Sequence, residues 1–321
     1  MLPVRALDKG DRVDEVMLLG HGGPATEQDL LPFARRVLGQ VPAGPQAVEA
    51  VVAQYRAIGG ISPFNAAIGR QADALAEALK ALGRPLPVTV GLLHAAPLIS
   101  QAFERAAGWG RRHILAVPMV PFQSPSGWGR YVASLEAAVA ACLGVPPRVS
   151  VLEPWGNEDG HVQAAADRAR FALEGVEGLA PSRRASAQLL FSAHAIPEGE
   201  AEHAPYAPQF SRMAAAVAGR LGLKGFTLAY QSRPLQARGK WLAPTLEEEI
   251  GRLGKAGASA VLLCPLGFIC DSKEVLYDMD VLARAAAAEA GLPFARAGTV
   301  GDHPAFIGML ADRVLRGWKE A

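Results

Sequence analysis

Three histidines stand where apolar runs stop. His21 follows Val16-Met17-Leu18-Leu19-Gly20, His94 ends residues 88–93, and His194 lies in Phe191-Ser192-Ala193-His194-Ala195-Ile196-Pro197 after the run Gln188-Leu189-Leu190. An imidazole with an ordinary pKa of about 6.5 can accept a proton at neutral pH or ligate a metal. The plain alternative is a ring hydrogen-bonded inside a loop. A second set of groups is acidic: Asp271, Glu274 and Asp278 recur at i, i+3 and i+7, which a helix would place on one face. Such a line could pass protons or hold a divalent cation. Asp271-x-x-Glu274 also reads as a capping box, with Asp278 and Asp280 as solvent-facing charges. Among the other histidines, His113 beside Arg111 and Arg112 reads as a surface residue. His161 and His303 read as solvent-facing or capping groups, and His203 as part of a polar loop. Ser192 sits only two residues before His194 and no G-x-S-x-G elbow occurs, so a serine hydrolase is weakly supported.

Such groups need strands to carry them. Apolar runs at residues 16–20, 88–93, 114–120, 149–153, 188–190, 227–230 and 260–264 alternate with helical patterns, the signature of parallel α/β architecture. In such sheets ligands collect outside the carboxyl ends of the strands, where the histidines fall. Helices are expected over residues 65–82, 131–142, 157–173, 209–221 and 271–289, and Thr245 with Glu248 forms a capping box for another. Residues 180–184 read as loop. Residues 121–131 mix aromatic and small polar groups, a composition suited to a flat, partly apolar ligand. The grammar repeats in both halves, predicting two lobes across a cleft, residues 1–146 and 147–321, with a seam at Pro146-Pro147. His21-Gly22-Gly23-Pro24 allows a tight turn but is not the G-x-G-x-x-G dinucleotide fingerprint.

The 321 residues carry a formal net charge of +1, with half of them hydrophobic and a fifth charged. That balance lacks the basic bias of nucleic-acid binders. Cys142, Cys264 and Cys270 have no C-x-x-C spacing, so neither a disulfide framework nor a cysteine metal cluster is expected. Residues 1–14 lack a signal-peptide core, and the longest apolar run, 260–270, is about half the length of a membrane span. A cytoplasmic protein without stable membrane insertion is the expectation.

Four stretches together resemble the ferrochelatases. They are Tyr55-Arg-Ala-Ile-Gly-Gly-Ile-Ser-Pro63, residues 191–197, Tyr230-Gln231-Ser232 with Trp241-Leu242-x-Pro244, and Pro265-x-Gly267-Phe268-x-x-Asp271-x-x-Glu274-x-Leu276-Tyr277-x-x-Asp280. The resemblance implies two Rossmann-like lobes with parallel sheets facing a porphyrin cleft, and insertion of Fe²⁺ into a porphyrin during haem synthesis. By motif, His194 matches the active-site histidine and Glu274 its acidic partner, both as catalytic groups and as metal ligands. Asp271 and Asp278 match the acidic line that continues from Glu274. Propionates would need cationic or hydroxyl partners, for which Arg56, Ser62, Ser124, Arg130 and Tyr131 are candidates.

The Tyr55–Pro63 stretch, Gly91-x-x-His94-x-x-Pro97-x-Ile99 and Glu274-Val-Leu-Tyr-Asp278 are similar to the coproporphyrin III branch rather than the protoporphyrin IX branch. Fe²⁺ then enters as substrate, with no tightly bound cofactor and no iron–sulfur cluster expected. The partners are porphyrin and iron, together with a transient iron donor or haem acceptor. A sirohydrochlorin-type chelatase and a non-catalytic porphyrin or haem carrier of the same fold are the alternatives. Three departures from the family pattern stand out. Ala195 follows the histidine where glycine or serine is usual, Ser272 and Lys273 follow Asp271 where histidine commonly comes next, and His21 stands where tyrosine is usual. His21 is therefore expected to ligate product iron from the face opposite His194.

Overall fold

The computed structural model describes residues 12–39, 44–175, 187–223, 225–234 and 237–316, and the backbone of residues 4–6. The expected loop at 180–184 lies outside the described residues. The first sheet contains β1 (Val4–Ala6), β2 (Glu15–Gly20), β3 (Val88–Leu92), β4 (His113–Pro118) and β5 (Arg148–Val151), in the order β1-β5-β4-β2-β3. The second contains β6 (Gln188–His194), β7 (Thr227–Gln231), β8 (Val261–Cys264) and β9 (Phe294–Arg296), in the order β7-β6-β8-β9. Every pairing is parallel. Each parallel connection needs a crossover, which the intervening helices supply.

In the first half the helices are α1 (Glu27–Leu38), α2 (Pro45–Ala57), α3 (Phe64–Ala81), α4 (Ile99–Gly108) and α5 (Arg130–Ala140). Then come α6 (Asp159–Glu174), α7 (Glu198–Ala201), α8 (Tyr206–Leu221), α9 (Leu246–Lys255), α10 (Arg284–Glu289) and α11 (Pro304–Leu315). Thr245 caps α9 in a capping box with Glu248, as its sequence predicts. β2 and β4 are buried at every position, because helices cover both faces of the sheet. On one face Met17 and Leu19 pack with Ile99, Phe103 and Leu135 of α4 and α5. On the other, Val16 and Leu18 join a core that continues through α3, α6, α8 and α11 to Leu189 and Phe191 of the second sheet.

Two features cut across a simple division into halves. β5 lies beyond the Pro146-Pro147 seam yet pairs with β4 and β1, so the first sheet does not end at residue 146. Helix α11, from the end of the chain, packs on α3 as well as on α6. Gln71 on α3 adds a polar tie, its Nε2 donating to the carbonyls of Gly301 at 2.8 Å and Ile269 at 3.3 Å. One continuous core thus fixes the two sheets relative to each other, and with them the strand ends that carry the histidines.

Residues 271–289 depart from the single α-helix that their spacing predicts. Glu274–Ala283 is π-helical and passes into α10 at Arg284. A π-helical stretch is rare, and such turns concentrate at functional sites. A shorter one, Pro125–Gly129, precedes α5.

Candidate active site

His194 is the last residue of β6. Its Nδ1–H faces the Ala195 carbonyl at 2.6 Å, and the Tyr206 hydroxyl donates to its own carbonyl at 2.8 Å. With Nδ1 spent as donor, the lone pair is on Nε2. Beside it, β7 ends at Gln231, whose carbonyl accepts from Ala195 N–H at 2.7 Å and whose Nε2 donates to the Glu274 carbonyl at 2.9 Å. Two short hydrogen bonds therefore carry Glu274, the first π-helical residue, to the strand end holding His194.

The opposite wall is built by the first sheet. β2 ends into His21, and Gly22 at φ +83° makes the turn that follows. His21 Nδ1 is bound to the Gly22 carbonyl at 2.9 Å, which again leaves Nε2 as the free lone pair. The His94 ring lies 4.7 Å from that of His21, and Phe33 and Tyr55 close the aromatic cluster. Arg130 Nη2 donates to His94 Nε2 at 3.2 Å, while Arg36 donates to the His94 carbonyl at 2.9 Å. His94 is buried, and its Nδ1 has no hydrogen-bond partner.

Electrostatics tie the two walls together. Burial lowers both His21 and His194 from 6.5, partly opposed by the Glu274 carboxylate that each of them feels. His94 is pushed down to about 3 by burial, then by His21, Arg130 and Arg36. All three rings are thus neutral at pH 7. Burial would raise Glu274, but Lys273 and the Ser272 hydroxyl hold it well below the usual carboxylate range, with His21 adding to them when its ring is protonated. Asp278 goes the other way, raised by burial to about 6 although Lys273 and Ser232 oppose the shift. Burial also raises the phenols of Tyr55 and Tyr131, which both sense Glu274. The site therefore holds neutral imidazoles, one ionised carboxylate and one carboxyl that changes charge near pH 6.

The expected site residues divide. His21, His194, Glu274, Asp278, Arg130 and Tyr131 share this electrostatic neighbourhood. Ser62 is buried beneath the His21 turn, packed on Gly23, with its Oγ accepting from Phe64 N–H at 3.3 Å. Ser124 is spent structurally, accepting from Gly127 N–H at 3.0 Å as the cap of the short π-helical turn. Arg56 is exposed on α2 and paired with Glu27 at 2.9 Å. Asp271 leaves the acidic line: its Oδ1 faces Arg296 at 3.3 Å and Thr299 at 3.1 Å, and it precedes the helix rather than capping it. Arg296 also grips Asp280 through two 2.8 Å contacts. Only Glu274 and Asp278 of the line remain together, both beside Lys273. Among the described residues, no three His, Cys, Asp or Glu side chains converge on one metal-binding point.

Several inward-facing groups carry no mark of it in the sequence. Tyr55 and Lys273 stand in the motifs, but only packing shows that they turn inward. Ser232, held at φ +64°, donates to Asp278 Oδ2. A left-handed serine is a strained conformation of the kind that clusters at functional sites. His113 and His161 are both buried rather than surface groups: His113 bonds Ser150 Oγ at 2.9 Å, and His161 packs between Trp155 and Phe306. His303 caps α11, its Nδ1 accepting from Ala305 N–H.

Known proteins match this chain over most of its length. A coproporphyrin III ferrochelatase from Frankia alni is 38% identical over 94% of this chain and 79% of its own. One from Propionibacterium freudenreichii is 33% identical over 94% and 86% respectively. Among solved structures, SirB from Bacillus subtilis with Fe³⁺ superposes with a TM-score of 0.57 at 14% identity, covering 95% of this chain and 96% of that one. CbiX, described as the terminal enzyme of sirohaem biosynthesis in denitrifying bacteria, gives 0.51 at 17% identity over 94% and 97%. At those identities the structural likeness shows the fold alone, a chelatase fold. The family model described as ferrochelatase matches residues 14–317, so with these relatives the chain belongs to the ferrochelatase family.

Proposed function

We propose that this protein inserts Fe²⁺ into coproporphyrin III, with His194 as the proton acceptor and His21 as a ligand from the opposite face. The observation that carries this reading is the pair of imidazoles on facing walls, each with Nδ1 occupied by a backbone carbonyl and Nε2 unused. A macrocycle between them supplies four nitrogens to the metal, so the protein needs one or two ligands rather than a preassembled cage. The names of the relatives support coproporphyrin III over protoporphyrin IX. The seam between the lobes is proposed to follow β5, so that each lobe keeps its whole sheet.

The reaction exchanges two pyrrole protons for one Fe²⁺. His194, neutral because burial lowers its pKa, takes a proton on Nε2 and becomes an imidazolium facing the ionised Glu274 carboxylate. Glu274 is too acidic to be the better base, so its role is to stabilise that charge. Asp278, at about 6, is the carboxyl whose protonation changes near neutrality; passing the first proton on to it, and from it to solvent, frees His194 Nε2 for the second. Arg130, which gives one of its five N–H donors to His94 Nε2, and Tyr131 are taken as the propionate partners. Arg56 is already paired with Glu27, and Ser124 is buried as the cap of the short π-helical turn, accepting from Gly127 N–H.

The test is anaerobic mixing of the protein with Fe²⁺ and either coproporphyrin III or protoporphyrin IX, followed by absorbance. Metallation of coproporphyrin III is expected to be the faster reaction. His194→Ala should slow it by about 100-fold or more, the contribution typical of a positioned base, while porphyrin binding persists. Wild-type turnover by that variant would overturn the mechanism. Porphyrin binding without metallation by the native protein would instead favour the carrier.

A further inference from the structure

Both carboxylates in the cleft wall already have partners. Lys273 Nζ lies 3.5 Å from Glu274 Oε1, Ser272 Oγ donates to Glu274 Oε2 at 2.8 Å, and Ser232 Oγ donates to Asp278 Oδ2. The ion pair is not a solvated surface contact of little consequence, since the Lys273 side chain is only 14% exposed and that of Glu274 22%. The ammonium is also felt by Asp278 and by His194. Burial alone would favour loss of its proton, but Glu274 and Asp278 hold it charged. It is a fixed positive charge built into the metal-handling wall.

Among the described residues no third side chain converges on one point, but Glu274 lies near enough to His194 and His21 for both to feel its charge. A carboxylate beside an imidazole is an oxygen–nitrogen pair attractive to a borderline divalent ion that keeps its waters. We propose that Lys273 is an internal counter-cation that keeps Glu274 and its neighbouring imidazole from holding a divalent metal in the absence of porphyrin. Metal is then captured only when the macrocycle contributes its nitrogens, and substrate order is set in favour of porphyrin first. This last step rests on the ferrochelatase reading, whereas the exclusion of metal from the wall does not. Lys273 is accordingly a positioning and specificity residue, acting on the metal through the charge it places beside Glu274. A purely structural ion pair would alter stability when removed but would not create metal affinity.

The experiment titrates Co²⁺ into porphyrin-free full-length protein, followed by calorimetry and visible absorption. Lys273→Met keeps the side chain's length while removing its charge. It should bind Co²⁺ at least about tenfold more tightly than the native chain, a conservative figure for deleting a charge a few ångström from a divalent ion. Lys273→Arg should restore native weakness, and adding Glu274→Gln to Lys273→Met should abolish the gain. Lys273→Gln serves as a second neutral variant if the methionine protein folds poorly. In turnover, the neutral variants should show inhibition by Co²⁺ added before porphyrin but not after. Unchanged Co²⁺ affinity in both neutral variants, or a gain that survives Glu274→Gln, overturns the proposal. An affinity gain in a protein that metallates no porphyrin supports the counter-cation and defeats the ferrochelatase reading, so the two failures are distinct.

Discussion

Asp278→Asn measures what it costs to keep a buried carboxyl group beside Lys273 and Ser232. Burial raises Asp278 from 3.8 to about 6, against the opposing influence of Lys273 and Ser232. A raised carboxyl pKa means that, between about pH 4 and pH 6, the folded chain holds a proton which the unfolded chain has released. Stability therefore falls as pH climbs through that window and levels off above it. The penalty amounts to about 3 kcal/mol at pH 8 and about half of that at pH 5. Asparagine has nearly the same shape, cannot ionise, and keeps a carbonyl able to accept from the Ser232 hydroxyl. The variant should then be more stable than the native chain by up to about 3 kcal/mol at pH 8, with the advantage halved at pH 5 and smaller still toward pH 4. Denaturant unfolding at these pH values reads it as a shift in midpoint at constant slope. A variant less stable than native throughout, or an advantage independent of pH, would refute the assignment of Asp278 as a group protonated near neutrality. The same substitution removes the proposed onward proton acceptor, so the stabilised protein should turn over more slowly.

Two further substitutions probe the walls. His21→Ala should change the absorption spectra of both the ferrous and ferric product complexes while leaving porphyrin affinity near native; spectra matching the native ones would remove His21 from the metal. Gly267→Ala would place a Cβ 2.8 Å from Ala193 Cα, beside the strand end that carries His194. Overpacking of that kind costs about 1–3 kcal/mol. It should lower kcat by about tenfold or more with little change in porphyrin Kd, since small misplacements of a catalytic group act on the chemical step; a native kcat would show that the wall tolerates the shift.

Much of the architecture was legible from local pattern. Runs such as Val16–Gly20 and Ala260–Cys264 are apolar at nearly every position because helices cover both faces of each sheet, and the capping box at Thr245 and Glu248 formed as its spacing predicts. Burial of individual polar groups was not legible. The neighbours of His113, Arg111 and Arg112, suggest a surface, but the ring is satisfied across the sheet by Ser150 of β5. The regular spacing of Asp271, Glu274 and Asp278 implies one helical face. Yet Arg296 and Thr299 hold the first of them elsewhere, and the helix is π-wound from Glu274.

The sequence by itself determined the parallel α/β elements, the placing of His21, His94 and His194 at strand ends, and the family, through motifs whose residues are close neighbours in the chain. These depend on burial period and on short-range spacing, which a linear pattern records directly. Tertiary structure alone decided that His21 and Glu274 influence each other's charge, that β5 rejoins the first sheet and that α11 packs on α3. It also decided that Lys273 turns toward Glu274 and Asp278. The physical reason is that one core, running from β2 through α3, α6 and α11 to β6, holds both sheets in a single arrangement. That packing brings His21 and His194 under the charge of Glu274, to which no neighbour in sequence exposes them.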